Sequence, residues 1–323
     1  MSYSRFLLPV LVCVLFLTSC SKKDDGQPIP KLDFREEMRD FVQSISAYAK
    51  NQNSNFIIVP QNGQEILTIT SKPDGAVATD YVNAIDAVGR EDLFYGYTGD
   101  DVLTPTADNE YLVSICNVAK NNSKVVLATD YCSTHSKMDD SYTKNQADGF
   151  ISFAADHREL DNVPGYPAAP HNENADNITS ISQVKNFLYL INPSTFSTKQ
   201  AYLDAVKATN YDLVLIDLFF NNEQLTAEDI TLLKTKKNGG SRMVICYMSI
   251  GEAENYRYYW SDLSKSLIYK ENPDWPGNYS VRYWEAAWKQ VIYGNDQSYT
   301  KKILNAGFDG VYLDIIEAYE YFE

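Results

Sequence analysis

The 323-residue chain carries 28 Lys and Arg against 43 Asp and Glu, a net charge of −15, so most of its surface repels a phosphate backbone and nucleic acid is excluded as a partner. With 44% apolar residues and 24 Tyr, the sequence is neither disordered nor collagen-like, and it is long enough to bury a sizeable core.

Arg5 precedes an apolar run from Phe6 to Leu17. A membrane-spanning helix needs about 20 apolar residues, so residues 1–19 read as a removable signal peptide. Leu17-Thr18-Ser19-Cys20 resembles the bacterial lipobox, which implies a diacylated Cys20 as the mature N-terminus. Residues 20–33, with Lys22, Lys23, Asp24 and Asp25 and the prolines Pro28 and Pro30, then read as a lipidated start and tether. The expected location is the outer membrane, at the cell surface or facing the periplasm. Cys116, Cys132 and Cys246 show no CxxC spacing and are expected to be buried small hydrophobes. His135, His157 and His171 form no HxH or HExxH, so neither a His-built metal site nor any cofactor is expected.

The first element of the body is a helix, because Phe34, Met38, Phe41, Val42, Ile45 and Tyr48 recur at three- and four-residue steps. Eight β-rich runs follow: Phe56–Pro60, Ala84–Gly89, Val125–Asp130, Phe150–Ala155, Phe187–Ile191, Leu213–Phe219, Met243–Ile250 and Phe308–Asp314. Amphipathic stretches separate several of them, such as Leu112, Ile115, Cys116 and Ala119, or Trp284, Trp288, Val291 and Ile292. Strand–helix alternation predicts an α/β fold with a parallel sheet, and eight units fit a (β/α)8 TIM barrel as one domain over 34–323. The chain opens on a helix and ends on a strand, the order a circularly permuted barrel would have. Phe34 and Phe322 should then lie close together.

In such a barrel the chemistry sits at the C-terminal ends of the strands, where inward positions alternate with outward ones. Alternation from Leu213 and Leu215 sends Asp217 to the mouth, and from Gly310 and Tyr312 it sends Asp314 there. Ala87 and Gly89 lead to Glu91, and Val126 and Ala128 lead to Asp130 with Tyr131 beside it. Tyr247 leads to Glu252 and Glu254 just past another strand, and Gln61 and Asn62 end the first. Carboxylates converging on one hollow, with little His or thiol nearby, are the inventory of glycoside hydrolysis: one acid protonates the leaving oxygen and one carboxylate acts as nucleophile or base. Trp275, Tyr279, Tyr283 and Tyr319 are candidates to stack on sugar rings.

Three segments carry a family likeness. Tyr247–Glu254, Asn272-Pro273-Asp274-Trp275-Pro276-Gly277-Asn278-Tyr279 and Gly307–Tyr319 together resemble the bacterial and archaeal branch of glycoside hydrolase family 114; Phe56–Gln64 and Ile85–Gly96 resemble further family segments. The resemblance implies a TIM barrel and endo-α-1,4-polygalactosaminidase activity. In the family order the block like Phe34–Leu160 follows the block like Phe187–Tyr321, whereas here it precedes it, as a permutation about the fourth family strand would produce. The family's Asp after strand four and Glu after strand six fall on Asp314, the implied nucleophile, and Glu91, the implied acid/base.

The resulting expectation is a lipid-anchored retaining glycosidase acting on α-1,4-linked galactosamine or N-acetylgalactosamine polymers. Asp217, Glu252, Glu254, Tyr247, Gln61, Asn62, Asp130, Tyr131, Trp275 and Tyr319 would hold the glycan. A non-catalytic glycan-binding surface lipoprotein is the alternative.

Overall fold

A computed structural model describes residues 28–323; the leader, Cys20 and most of the tether lie outside the described residues. α1 (Phe34–Gln52) starts where the Asp33 carboxylate accepts the Glu36 N–H at 3.0 Å, satisfying one free helix donor. Met38, Phe41, Val42, Ile45 and Ala49 bury one face of it, as their spacing predicts.

Eight strands then run parallel: β1 (Ile57–Pro60), β2 (Ala87–Glu91), β3 (Val125–Tyr131), β4 (Ile151–Ala155), β5 (Phe187–Leu190), β6 (Leu213–Ile216), β7 (Met243–Ser249) and β8 (Gly310–Asp314). The longer helices between them are α2 (Thr106–Asn121), α3 (His135–Asp148), α4 (Lys199–Lys207) and α5 (Tyr299–Ala306). The protein is therefore a mixed α/β fold with parallel sheets, ordered β1-β8-β7-β6-β5 and β2-β3-β4. The sheets are neighbours at two junctions. Between β1 and β2, Gln61 bridges Gly89, the Asp86 N–H donates to Ile58 O and the Asn62 N–H donates to Gly89 O, both at 2.9 Å. β4 packs beside β5.

First and last strands are side by side, with Val59 in register with Tyr312. The ends of the described body meet as well: the rings of Phe34 and Phe322 are 5.5 Å apart, and Arg35 pairs with Glu323 at 2.8 Å. Within the five-stranded sheet, the rings of Tyr189 and Tyr312 pack at 5.3 Å, and the Tyr312 hydroxyl reaches across to β2. Gly89 is required by this packing, because a Cβ there would lie 1.9 Å from the Tyr312 hydroxyl. Cys116, Cys132 and Cys246 are free and buried. No helix among the described residues is long and apolar enough to cross a membrane.

Two strand boundaries differ from the sequence expectation by three residues, and the others agree within two. Residues 79–84 are helical, so the second strand begins only at Ala87; Asp86 stays outside it, accepting the Ile58 N–H at 2.8 Å and pairing with Lys50 at 3.0 Å. The strand expected to reach Phe219 stops at Ile216, because Asp217 accepts the Phe219 N–H at 2.7 Å and turns the chain into a short hairpin. Antiparallel pieces within 95–103, 219–224 and 252–281 follow the C-terminal ends of β2, β6 and β7. Polar stretches such as Gly99-Asp100-Asp101 and Glu252-Ala253-Glu254 carry no alternation from which a strand could be read.

Candidate active site

A cavity of about 990 Å³ opens over the C-terminal ends of the strands. Glu91 and Asp314, the last residues of β2 and β8, both line it. Immediately after each acid the chain enters the left-handed region, with φ +57 at Asp92 and +59 at Ile315. The strand thus ends abruptly and leaves the carboxyl at its tip. A β-branched residue is rarely found there, so Ile315 holds strain of about 1–3 kcal/mol. The Ser249-Ile250-Gly251 turn clamps it: Ile250 N–H donates to Asp314 O at 3.0 Å, and a Cβ on Gly251 would lie 2.2 Å from Ile315 O.

Glu91 is surrounded by donors. Tyr131 donates to Oε1, while Gln61 and Asn62 donate to Oε2, Asn62 at 2.9 Å. Asn62 also accepts the Glu91 N–H at 3.1 Å, so one amide fixes both ends of the residue. Gln61 is oriented in turn by the Tyr189 hydroxyl at 2.7 Å. Arg158 lies over the Tyr131 ring at 3.9 Å and pairs with Asp92 at 2.8 Å and Asp100 at 2.7 Å.

Asp314 takes a 2.6 Å hydrogen bond from Tyr247 and another from the Ile315 backbone N–H. Burial, and then the neighbouring Glu91 charge, push its carboxyl up to about 7 despite these donors. Burial holds the phenols of Tyr131, Tyr189 and Tyr247 well above their ordinary range, so each stays a neutral donor.

The opposite wall is an ion cluster. Arg257 grips Asp217 with two bonds, at 2.8 and 2.6 Å, and reaches Glu254 at 2.5 Å; Tyr256 also donates to Glu254, at 2.5 Å. Burial alone would lower the Arg257 pKa, but the Asp217 and Glu254 charges hold it well above its usual value. Glu252 is fully buried; Oε1 accepts Asn272 at 3.0 Å and Tyr321 at 2.8 Å, while Oε2 has no partner. Burial raises its pKa.

Ten of the twelve expected residues, then, line this one cavity: Glu91, Asp314, Gln61, Asn62, Tyr131, Tyr247, Asp217, Glu252, Glu254 and Trp275, the last half exposed at the rim. Two do not. Asp130 faces away, fully buried, accepting the N–H of Phe94 and Tyr95, the Ser141 hydroxyl at 2.6 Å and the Asn145 amide at 3.0 Å. The inward row of β3 ends on Tyr131; Asp130 belongs to the outward row that meets α3. Tyr319 is also fully buried, because the short 3₁₀ turn Ile316–Tyr321 rotates it back against α1, where the Arg35 guanidinium sits 4.5 Å above its ring. Of the further aromatic candidates, Tyr283 is buried and donates to Phe34 O at 2.6 Å, and Tyr279 packs on Trp260.

Glu317, Tyr321, Arg257, Arg158 and Tyr189 also line the cavity and were not singled out in the sequence. Glu317 stands three residues after Asp314, and Arg257 is the cation closing the acid-rich stretch from Glu252; those spacings are the signals that could have found them. Among the described residues, no His, Cys, Asp or Glu group has the arrangement of a metal site.

Residues 168–323 match the model of glycoside-hydrolase family GH114. A curated protein of Methanocaldococcus jannaschii is 37% identical over 180 residues, covering 53% of this chain and 49% of that one. A protein of Deinococcus radiodurans is 35% identical over 125 residues, 38% of each chain, and one of Thermotoga maritima 30% over 120 residues, 36% of each. The matches thus span about half of these relatives or less. Among solved structures, that of Ega3 from Aspergillus fumigatus in complex with galactosamine matches at 24% identity with a TM-score of 0.32, over 46% of this chain and 51% of that one.

Proposed function

We propose that this chain, which belongs to glycoside-hydrolase family GH114 through residues 168–323, is a retaining glycosidase with Asp314 as nucleophile and Glu91 as acid/base. The observation that carries the reading is the placement of Glu91 and Asp314. Two carboxyls, each at the tip of its own strand, open on one cavity and are close enough for the charge of one to raise the pKa of the other. In the first step Asp314 attacks the anomeric carbon while Glu91 gives its proton to the departing glycosidic oxygen. In the second, Glu91 takes a proton from water, which displaces Asp314 from the sugar and regenerates both groups.

An α-1,4-linked galactosamine polymer is the proposed substrate. Eight carboxyls line the cavity against Arg158, Arg257 and Lys270, and both arginines are already held by carboxylates, so the cavity is attractive to an amino sugar. Trp275 at the rim would stack on a ring further along the glycan. The ring of neighbouring strands is read here as a closed, circularly permuted (β/α)8 barrel, supported by the adjacency of β1 and β8. The anchor at Cys20 is part of the same proposal. Pro28 O lies 3.4 Å from Arg282, beside the antiparallel piece that walls the cavity, so the tether enters on the catalytic side.

Incubating the protein with partly deacetylated α-1,4-galactosaminoglycan and with other α-glycans is expected to release oligosaccharides from the first alone. Binding without release from any of them would favour the glycan-binding alternative. Labelling with radioactive palmitate is expected for the full chain and lost in Cys20→Ala; equal labelling would end the anchor proposal.

A further inference from the structure

We propose that Glu317 is a third carboxyl of this site that binds the glycan as a neutral acid, donating a hydrogen bond from its carboxyl to a sugar oxygen. The identity of the ligand rests on the glycosidase reading above; the role of Glu317 rests on a count of donors. Glu91 accepts from Gln61, Asn62 and Tyr131, and Asp314 accepts from Tyr247 and the Ile315 N–H. Glu317 accepts from its own backbone N–H, while its Oε2 is buried and has no partner, although the residue lines the same cavity. Three carboxyls this close do not all ionise at neutral pH, and the charge on the one with fewest donors is the least stabilised.

The surroundings reinforce this. Glu317 also lines a second cavity of about 300 Å³, and Asn62 and Glu317 form the wall shared by the two. The carboxyls around Glu317 are Asp314 from β8, Glu91 from β2, Glu65 from the turn after β1, Asp108 from α2 and Glu320 from its own turn. Tyr97, Tyr111, Tyr319 and Tyr321 are the phenols, and among the described residues facing it Arg90 is the cation. Burial, followed by the Asp314 charge, pushes the Glu317 carboxyl up to about 8, while Arg90 opposes the shift. Beside an ionised Asp314, which can only accept, a neutral Glu317 offers a donor to a sugar hydroxyl or ring oxygen. Its position is fixed from behind: a Cβ at Gly63, φ +57, would lie 2.8 Å from Ile316 and 3.2 Å from the Glu317 nitrogen, so only glycine lets the turn pack this closely.

The test separates protonation from turnover. Infrared difference spectra of the carboxylic-acid stretch at pH 7 are expected to lose one band in Glu317→Gln, and that band is expected to move when an α-1,4-galactosamine oligosaccharide is added to the unmodified protein. In a Glu91→Gln background, which keeps the oligosaccharide intact, calorimetry is expected to show Glu317→Ala binding about tenfold or more weakly, with much of the loss recovered in Glu317→Gln, whose amide still donates. An unchanged spectrum in Glu317→Gln, equal binding in Glu317→Ala, or no binding with Glu317 intact would overturn the proposal. Weakened binding in Glu317→Ala beside a protein that hydrolyses no glycan would instead leave this role standing and remove the glycosidase reading.

Discussion

Asp314→Asn and Glu91→Gln are each expected to lower kcat on α-1,4-galactosaminoglycan by about 10³-fold or more, since one removes the proposed nucleophile and the other the proposed proton donor. The pH profile follows from the chemistry of the nucleophile. In the proposed mechanism only ionised Asp314 attacks, and its carboxyl is pushed up to about 7, so kcat/KM should rise with pH through that region, reporting the titration of the coupled pair. A bound ammonium sugar favours the carboxylate, so the acid limb of kcat should lie at lower pH than that of kcat/KM. Coincident limbs would argue against a cationic substrate, and full activity in either variant would end the assignment of the pair.

The same shift has a consequence for stability, with a definite sign. Asp314 binds its proton more tightly in the folded protein, where its pKa is about 7, than in the unfolded chain near 3.8. Its contribution to stability is therefore fully present below about pH 4 and is lost as the pH rises through 7. Asp314→Asn removes the charge that burial disfavours, so it should raise Tm more at pH 8 than at pH 4, the stability–activity trade-off of an active-site acid. Equal Tm changes at the two pH values would contradict the burial of a charged Asp314.

The second large effect is expected at Arg257. Its guanidinium side chain is 5% exposed and joins Asp217 and Glu254, whose side chains are 8% and 2% exposed. Arg257→Ala leaves two buried carboxylates without a counter-charge, and loss of one partner from a buried pair costs about 3–5 kcal/mol. Urea unfolding should show that loss, and Arg257→Lys should show a smaller one, because an ammonium keeps the charge but cannot reproduce the two-pronged grip on Asp217. A change below about 1 kcal/mol in Arg257→Ala, the scale of an exposed pair, would mean that water screens the cluster.

Much of the architecture is legible in the order of residues because the signals are local. Apolar steps of three and four mark α1, and runs such as Leu213–Ile216 and Met243–Ser249 are buried on both faces, as parallel strands between layers must be. The three segments that carry the likeness to family GH114, Tyr247–Glu254, Asn272–Tyr279 and Gly307–Tyr319, are contiguous and lie within the region that the family match covers, so it too can be read along the chain. The same double burial hides which face is inward. In Val125–Tyr131 both rows are largely apolar, so period-two counting admits either Asp130 or Tyr131 as the inward residue, and only packing against α3 settles that it is Tyr131.

Side chains supplied by turns depend on tertiary contacts more strongly still. Glu317, Tyr319 and Tyr321 share one short turn, yet Tyr319 is buried under Arg35 while Glu317 and Tyr321 face the cavity. Their directions follow from the left-handed step at Ile315 and its clamp by Gly251, which brings together residues more than sixty positions apart. By itself, then, the sequence determined the first helix, the eight main strands, their parallel character and the stock of acids, all properties of short stretches of chain. Which acids meet, which lack a donor and which are paired with Arg257 was decided by the tertiary structure alone, because burial and charge coupling act through space between residues that are distant along the chain.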